Sequence, residues 1–252
     1  MKKLLIFASC MILVFGLAKP FMAQGDGRNT EHTFAQYADG RFFDGTYYRS
    51  TLLFTNPDSR SNGCVFRTYG VIPEMRDEFG NTVVTDTLRF TAPGSSWSVI
   101  SSTATQGFAA GAATLFCDYP VTAQVLFSFF ASNGVKLSEA TVFSSPRGRT
   151  VKIIADQREG ARLGLALTGE SGTITCEIAA LNATGGNIGT VTVSVPSNGN
   201  VSRFLDELIP RTAGQIGTVT IRNVGSSLPV YVIGLRFTGT AFTTIPVTVL
   251  EQ

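Results

Sequence analysis

Apolar and polar residues alternate with a period of two along most of the chain, and the alternating runs are short. In Ser50-Thr51-Leu52-Leu53-Phe54-Thr55, Leu52 and Phe54 fall on one side and Thr51, Leu53 and Thr55 on the other, as a β-strand with one buried face requires. Comparable runs recur with Gly, Pro, Asn, Ser and Asp between them, about seven in each stretch of roughly 110 residues, the density expected of an antiparallel β-sandwich. One segment has a different period. In Ser202-Arg203-Phe204-Leu205-Asp206-Glu207-Leu208-Ile209 the apolar residues share a helical face, Ser202 can cap it and Pro210 stops it, which predicts a short helix closing one end of a sandwich.

The runs are written twice. Ala38-Asp39-Gly40-Arg41 has a counterpart in Ala155-Asp156-Gln157-Arg158, and the Leu52 strand has one in Leu163-Gly164-Leu165-Ala166-Leu167-Thr168. A Cys-led strand follows in each copy, Cys64-Val65-Phe66 and Cys176-Glu177-Ile178. Then Gly80-Asn81 and Gly186-Asn187 precede strands that end at Pro93 and Pro196. Gly111-Ala112-Ala113-Thr114-Leu115 parallels Gly217-Thr218-Val219-Thr220-Ile221, and each leads into a hairpin, turning at Ser132-Asn133-Gly134 and at Thr238-Gly239-Thr240. The predicted fold is therefore all-β: two tandem antiparallel immunoglobulin-like β-sandwich domains, 26–146 and 150–252, joined by a linker too short to let them tumble apart. The first copy departs from the second by an insertion, Val71 to Phe79, and a longer aromatic segment, Arg41 to Tyr48.

Ahead of the first copy, Lys2 and Lys3 precede an uncharged stretch from Leu4 to Ala18 that Lys19-Pro20 ends too early for a membrane span, the layout of a cleaved signal peptide over 1–25. Small residues put the cleavage between 18 and 25. Removing 1–25 takes away Lys2, Lys3 and Lys19, leaving 17 basic against 18 acidic residues, so the mature chain has no charge excess to attract nucleic acid. No later segment reads as a membrane span. The expected location is secreted, periplasmic or cell-surface.

Export permits disulfides. Cys64 and Cys117 lie on two strands of the first copy, whereas the position matching Cys117 in the second copy is about Asn223, which predicts a Cys64–Cys117 bond and a free, buried Cys176. A Cys64–Cys176 bridge, or three reduced thiols, are the alternatives.

Reactive chemistry is sparse. His32 is the only histidine in 252 residues, so a histidine-based triad has one candidate and a multi-histidine metal site none. There is no Gly-x-Ser-x-Gly elbow and no phosphate loop ending in Gly-Lys-Ser/Thr; Glu74, Asp77 and Glu78 share one insert rather than opposing walls of a cleft. Asp39-Gly40 and Asp44-Gly45 read as turns rather than calcium ligands. Asn182-Ala183-Thr184 and Asn200-Val201-Ser202 fit the acceptor pattern for N-linked glycans.

Phe34-Ala35-Gln36-Tyr37-Ala38-Asp39-Gly40, Leu52-Leu53-Phe54-Thr55-Asn56-Pro57 and Gly234-Leu235-Arg236-Phe237, with Phe242-Thr243-Thr244-Ile245-Pro246-Val247, resemble an uncharacterised class of exported bacterial proteins built from tandem β-sandwich repeats. The second copy departs from that pattern by carrying Gly169-Glu170 in place of Asn56-Pro57. The resemblance implies no catalytic residue and no cofactor. The expected function is a non-enzymatic extracellular interaction or structural role, with an unknown protein or polysaccharide at the cell surface as partner. A carbohydrate-binding module using Phe42, Phe43, Tyr47 and Tyr48 is the first alternative, since such rings can stack on sugars. A hydrolase whose site assembles only in three dimensions is the second.

Overall fold

The computed structural model describes residues 28–77 and 79–252, and the signal peptide expected over 1–25 lies outside the described residues. The chain is all-β with antiparallel sheets. Nine strands come from the first half: β1 (Arg28–Arg41), β2 (Tyr47–Asn56), β3 (Asn62–Tyr69), β4 (Glu74–Asp77), β5 (Thr82–Val84), β6 (Thr87–Ala92), β7 (Ser96–Ser102), β8 (Ala109–Phe130) and β9 (Lys136–Phe143). Nine come from the second: β10 (Thr150–Asp156), β11 (Arg162–Thr168), β12 (Ile174–Asn182), β13 (Asn187–Val195), β14 (Asn200–Phe204), β15 (Ile216–Asn223), β16 (Tyr231–Thr238), β17 (Ala241–Ile245) and β18 (Val247–Glu251).

The predicted alternation is kept where one face meets a core. Leu52 and Phe54 are buried on β2, and Ile174, Cys176, Ile178 and Ala180 are buried on β12 with half-buried residues between them. In both halves the strands pair in the same order. One layer of the first half runs β6-β3-β8-β1 and its counterpart runs β13-β12-β15-β10; the other runs β7-β2-β8-β9, matched by β14-β11-β16-β17. β8 appears in both layers because its first part pairs with β1 and β3 and its last part with β2 and β9. It changes partners around Pro120, where the missing N–H leaves a gap in the ladder. The first half is thus one nine-stranded sheet folded over, while the second half holds separate sheets of five and four strands.

The four-stranded sheet is covered on both faces. Leu163, Leu165, Leu167 and Val232 pack toward the five-stranded sheet. Ala166, Tyr231, Ile233 and Leu235 join the core of the first half. This double burial explains why Leu163 to Thr168 and Val230 to Leu235 read as near-continuous apolar runs instead of alternating ones. The halves also lock through hydrogen bonds. A register shift in β1 between Phe34 and Tyr37 frees Ala35 and Gln36 from the ladder. Asn200 then donates to the carbonyls of Ala35 (3.3 Å) and Gly111 (2.9 Å), and Ser202 donates to Gln36 Oε1 (2.7 Å).

The predicted helix over 202–209 shrinks to a single turn, α1 (Leu205–Leu208), followed by a turn of 3-10 helix, Pro210–Thr212. Ser202 is not its cap. Pairing of β14 with β11 holds Asn200 to Phe204 extended, and that ladder outweighs the local helical period. The insertion over 71–79 is no loose loop either: β4 joins β7 and turns back into β5, lengthening one edge of the folded sheet.

Candidate functional site

The two ends of the eight-strand pairing path through the sheet, β5 and β6, do not meet; β9 lies off this path, on β8. Because the sheet folds over at β8, these ends come to the same side of the first half and leave an open seam of about 640 Å³ between them. Its floor is Met75 and Ile100, both buried, and its walls carry Leu88 and Phe90 from β6 and Val83 from β5. The insertion supplies the rim. Asp77 accepts the N–H groups of Phe79 (3.0 Å) and Asn81 (2.8 Å) and the side-chain amide of Asn81 (2.8 Å). Those bonds close the β4–β5 turn, hold the Asp77 carboxyl below its ordinary range, and project Phe79 outward, 83% exposed. On the opposite rim stands Trp97, the only tryptophan of the chain, 69% exposed between Ser96 and Ser98. The seam size falls within the span of small-molecule pockets, and exposed large apolar side chains gathered at one place are the signature of a contact surface.

In the second half the α1 segment covers the side next to β13: Leu205, Leu208 and Ile209 pack into its core with Ile188, Val191 and Val193 of that strand. Ile209 sits so close that a Cβ on Gly189 would meet its Cγ2 at 2.7 Å.

The four aromatic residues singled out from the sequence are not brought to one face. Tyr47 is buried against Phe130, with ring centroids 4.8 Å apart. Tyr48 is half-buried and stacks on Phe127 at 4.5 Å, near Phe242 of the second half, and burial pushes its hydroxyl up to about 12. Phe42 stacks on Phe108 at 4.4 Å, leaving Phe43 alone fully exposed. These rings instead start a run of aromatic contacts across the junction, beside a hollow of about 310 Å³ lined by Tyr48, Phe108, Phe127, Phe204 and Phe237.

Groups with reactive potential lie elsewhere and are bonded or turned inward. Cys64 and Cys117 are bonded, with Cα atoms 4.2 Å apart. They are direct neighbours on β3 and β8, so the bond ties strands within one sheet rather than pinning two sheets together as in antibody domains. Cys176 is free and buried; its register partner on β15 is Asn223, and burial pushes its thiol up to about 12, away from the thiolate form. His32 is buried with Nε2 3.0 Å from the Val121 carbonyl, and burial lowers its pKa. Asp39 turns inward to accept the Ala104 N–H at 3.0 Å, and Asp44 accepts the N–H and hydroxyl of Thr46 in its own turn. No group of three or more metal-ligating side chains occurs among the described residues, and none of their helices is long and apolar enough to cross a membrane. Of the two glycan acceptor patterns, Asn200 has its amide engaged at the junction of the halves.

Sequence reasoning placed the insertion but missed Trp97, Leu88, Phe90 and Val83 as its companions. The available signal was a lone tryptophan flanked by serines on a strand outside the core periodicity.

Fold and seam together define an all-β, antiparallel, disulfide-bonded protein with an open apolar cleft in its first half. No family model matches the chain, and no curated protein matches it.

Proposed function

We propose that this chain is an exported, non-enzymatic protein of two tandem immunoglobulin-like β-sandwich units that works at the cell surface by binding, with the open seam of its first half as the contact surface. The observation that carries this reading is the contrast between the two seams: one is filled by Leu205 and Ile209, and the other leaves Phe79 and Trp97 exposed beside Phe90. A protein that needed only to fold would gain by covering those rings, at roughly 25 cal/mol for each Å² taken from water. Leaving them exposed is a cost that binding offsets. The disulfide supports an oxidising compartment, and the inward-facing His32 and Cys176 support a role without covalent chemistry.

The test is retention of the purified mature protein on intact cells and on insoluble polysaccharide. Phe79→Ser and Trp97→Ser should reduce retention at least fivefold while leaving the melting temperature unchanged, since both side chains are exposed. Unaltered retention, or turnover of generic ester, glycoside or peptide substrates, would defeat the reading. A second reading, carbohydrate binding through the Arg41 to Tyr48 segment, keeps as accessible rings only Phe43 and the Phe42–Phe108 stack. It predicts that Phe43→Ser, and not Trp97→Ser, abolishes a glycan-array signal.

A further inference from the structure

The two charged side chains at the seam are engaged unequally, and this narrows what it can hold. Among the described residues, two ionisable side chains line it, Asp77 and Arg89. Asp77 is consumed by the β4–β5 turn, where three N–H bonds satisfy its carboxylate. Arg89 is different. It is exposed on β6 between Leu88 and Phe90 and has no ion pair, hydrogen bond or ring contact among the described residues. Most of the other arginines near apolar surface are engaged: Arg60 pairs with Asp58 and lies over Tyr119, and Arg162 pairs with Asp206 and lies over Phe204. A guanidinium beside an apolar trough presents a positive site with several unfilled donors, while the nearby Asp77 stays ionised with its oxygens taken up by the β4–β5 turn.

We infer that the seam binds a monoanionic amphiphile of the fatty-acid class, its apolar chain lying along Phe90, Leu88 and Met75 under the rims of Phe79 and Trp97, and its carboxylate on Arg89. The inference rests on reading the seam as the binding surface and adds the ligand class. Apolar contact supplies affinity, whereas the carboxylate–guanidinium pair sets orientation and excludes cations and neutral sugars. About 640 Å³ accommodates one chain rather than a membrane leaflet, which distinguishes a free acid from a lipid surface.

Trp97 makes the test direct, because a single tryptophan reports on this site alone. The full mature protein is titrated at neutral pH and low salt with dodecanoate below its micelle concentration, and in parallel with dodecanol, dodecyltrimethylammonium, cellohexaose and an alternating Val-Thr peptide. The expected result is a saturable blue shift of Trp97 emission with dodecanoate, at least tenfold weaker with dodecanol and absent with the cation and the sugar. Arg89→Gln should weaken dodecanoate binding about tenfold and leave dodecanol unchanged, and Phe79→Ser should weaken both. Equal response to acid and alcohol, indifference to Arg89→Gln, or tighter binding of the peptide or the sugar would each overturn the inference. Failure here with Trp97-dependent retention on cells intact would leave the seam a contact surface for a different partner. Loss of both would remove the binding reading itself.

Discussion

The two halves pair their strands in one order yet part company at two places, the crossing between layers and the seam. In the first half β8 runs unbroken through Pro120 from one layer into the other, so a single sheet folds over and its ends stay apart. In the second half the chain leaves β15 at Asn223 and re-enters as β16 at Tyr231, so the layers are separate sheets, and the α1 segment plugs the side where the first half is open. The contrast separates what both halves share from what only the first half carries. Shared features, the paired Cys64 and Cys176 positions and the strand order, serve the sandwich. Unshared ones, the β4–β5 hairpin and the Trp97 rim, have no counterpart in the second half and are where we propose that binding occurs.

The strongest way to break the comparison is at the cysteines. Cys64 and Cys117 are 53 residues apart, and chain-entropy reasoning gives about 4 kcal/mol for a loop of that length. The double variant Cys64→Ala, Cys117→Ala should lose about that much in urea denaturation, with amide exchange rising first in β3 and β6. Since Cys176 and Asn223 occupy the same register, Asn223→Cys should oxidise to a bond with Cys176, read as loss of the free thiol on titration with Ellman's reagent. The gain is partly offset because Asn223 donates to Ser226 and to the Leu228 carbonyl. A persistent free thiol would show that the registers match in sequence but not in geometry.

Next come the glycines that open the matched strands. A Cβ on Gly111 would lie 1.7 Å from the Tyr69 carbonyl oxygen, and one on Gly217 would lie 1.9 Å from that of Leu181. In each half the neighbouring strand end passes directly over the glycine, so alanine must push backbone aside. Gly111→Ala and Gly217→Ala should each cost about 3 kcal/mol, at the upper end for overpacking. Losses differing by more than about 1 kcal/mol would mean that only one half depends on this approach.

Much of this was legible because it is local or periodic. Strand alternation, the pairing of Gly111 with Gly217 and the partnership of Cys176 with Asn223 all follow from matching two copies of one pattern. What failed was what the partners decide. Ser202 to Phe204 has a helical period, but β11 needed a neighbour. The ring-rich Phe42 to Tyr48 segment looked like a surface, but the second half covers Tyr48. The seam was illegible for the same reason: its lining is one continuous stretch from Met75 to Ile100, but only the fold-over of the sheet sets β6 across a cleft from β4, β5 and β7.

The junction offers a smaller effect. Asn200→Ala removes donors to the carbonyls of Ala35 and Gly111, leaving two partly buried acceptors unmatched at a cost of about 1–2 kcal/mol. Amide exchange should rise in β1 and β14 together while β12 and β13 stay protected. Exchange confined to β14 would mean that the apolar contacts of Ala166 and Ile233 alone hold the halves together.

The smallest expected effect is a pH asymmetry, and it follows from His32 being the only histidine. Burial holds its folded pKa below the unfolded value of about 6.5, so the unfolded chain takes up a proton first on acidification. Stability from the neutral, buried ring is therefore complete above pH ~6.5 and declines as pH falls toward the folded value. Asp39 and Glu31 act in the opposite sense. Burial raises both, with the charge of Glu170 adding to the rise at Glu31, so their contribution is present at low pH and lost as pH rises through their folded values. Asp156 of the second half is held at about 2 by its bonds from Arg158 and stays ionised throughout this window. His32→Gln retains a donor for the Val121 carbonyl and removes the titration, so the variant should match the parent at pH 5 more closely than at pH 7.5, by a few tenths of a kcal/mol. Urea midpoints at the two pH values, read with amide exchange in β1 and β10, would decide it. A parent whose loss falls equally on both halves would show that the junction transmits the strain, and that the two units unfold as one.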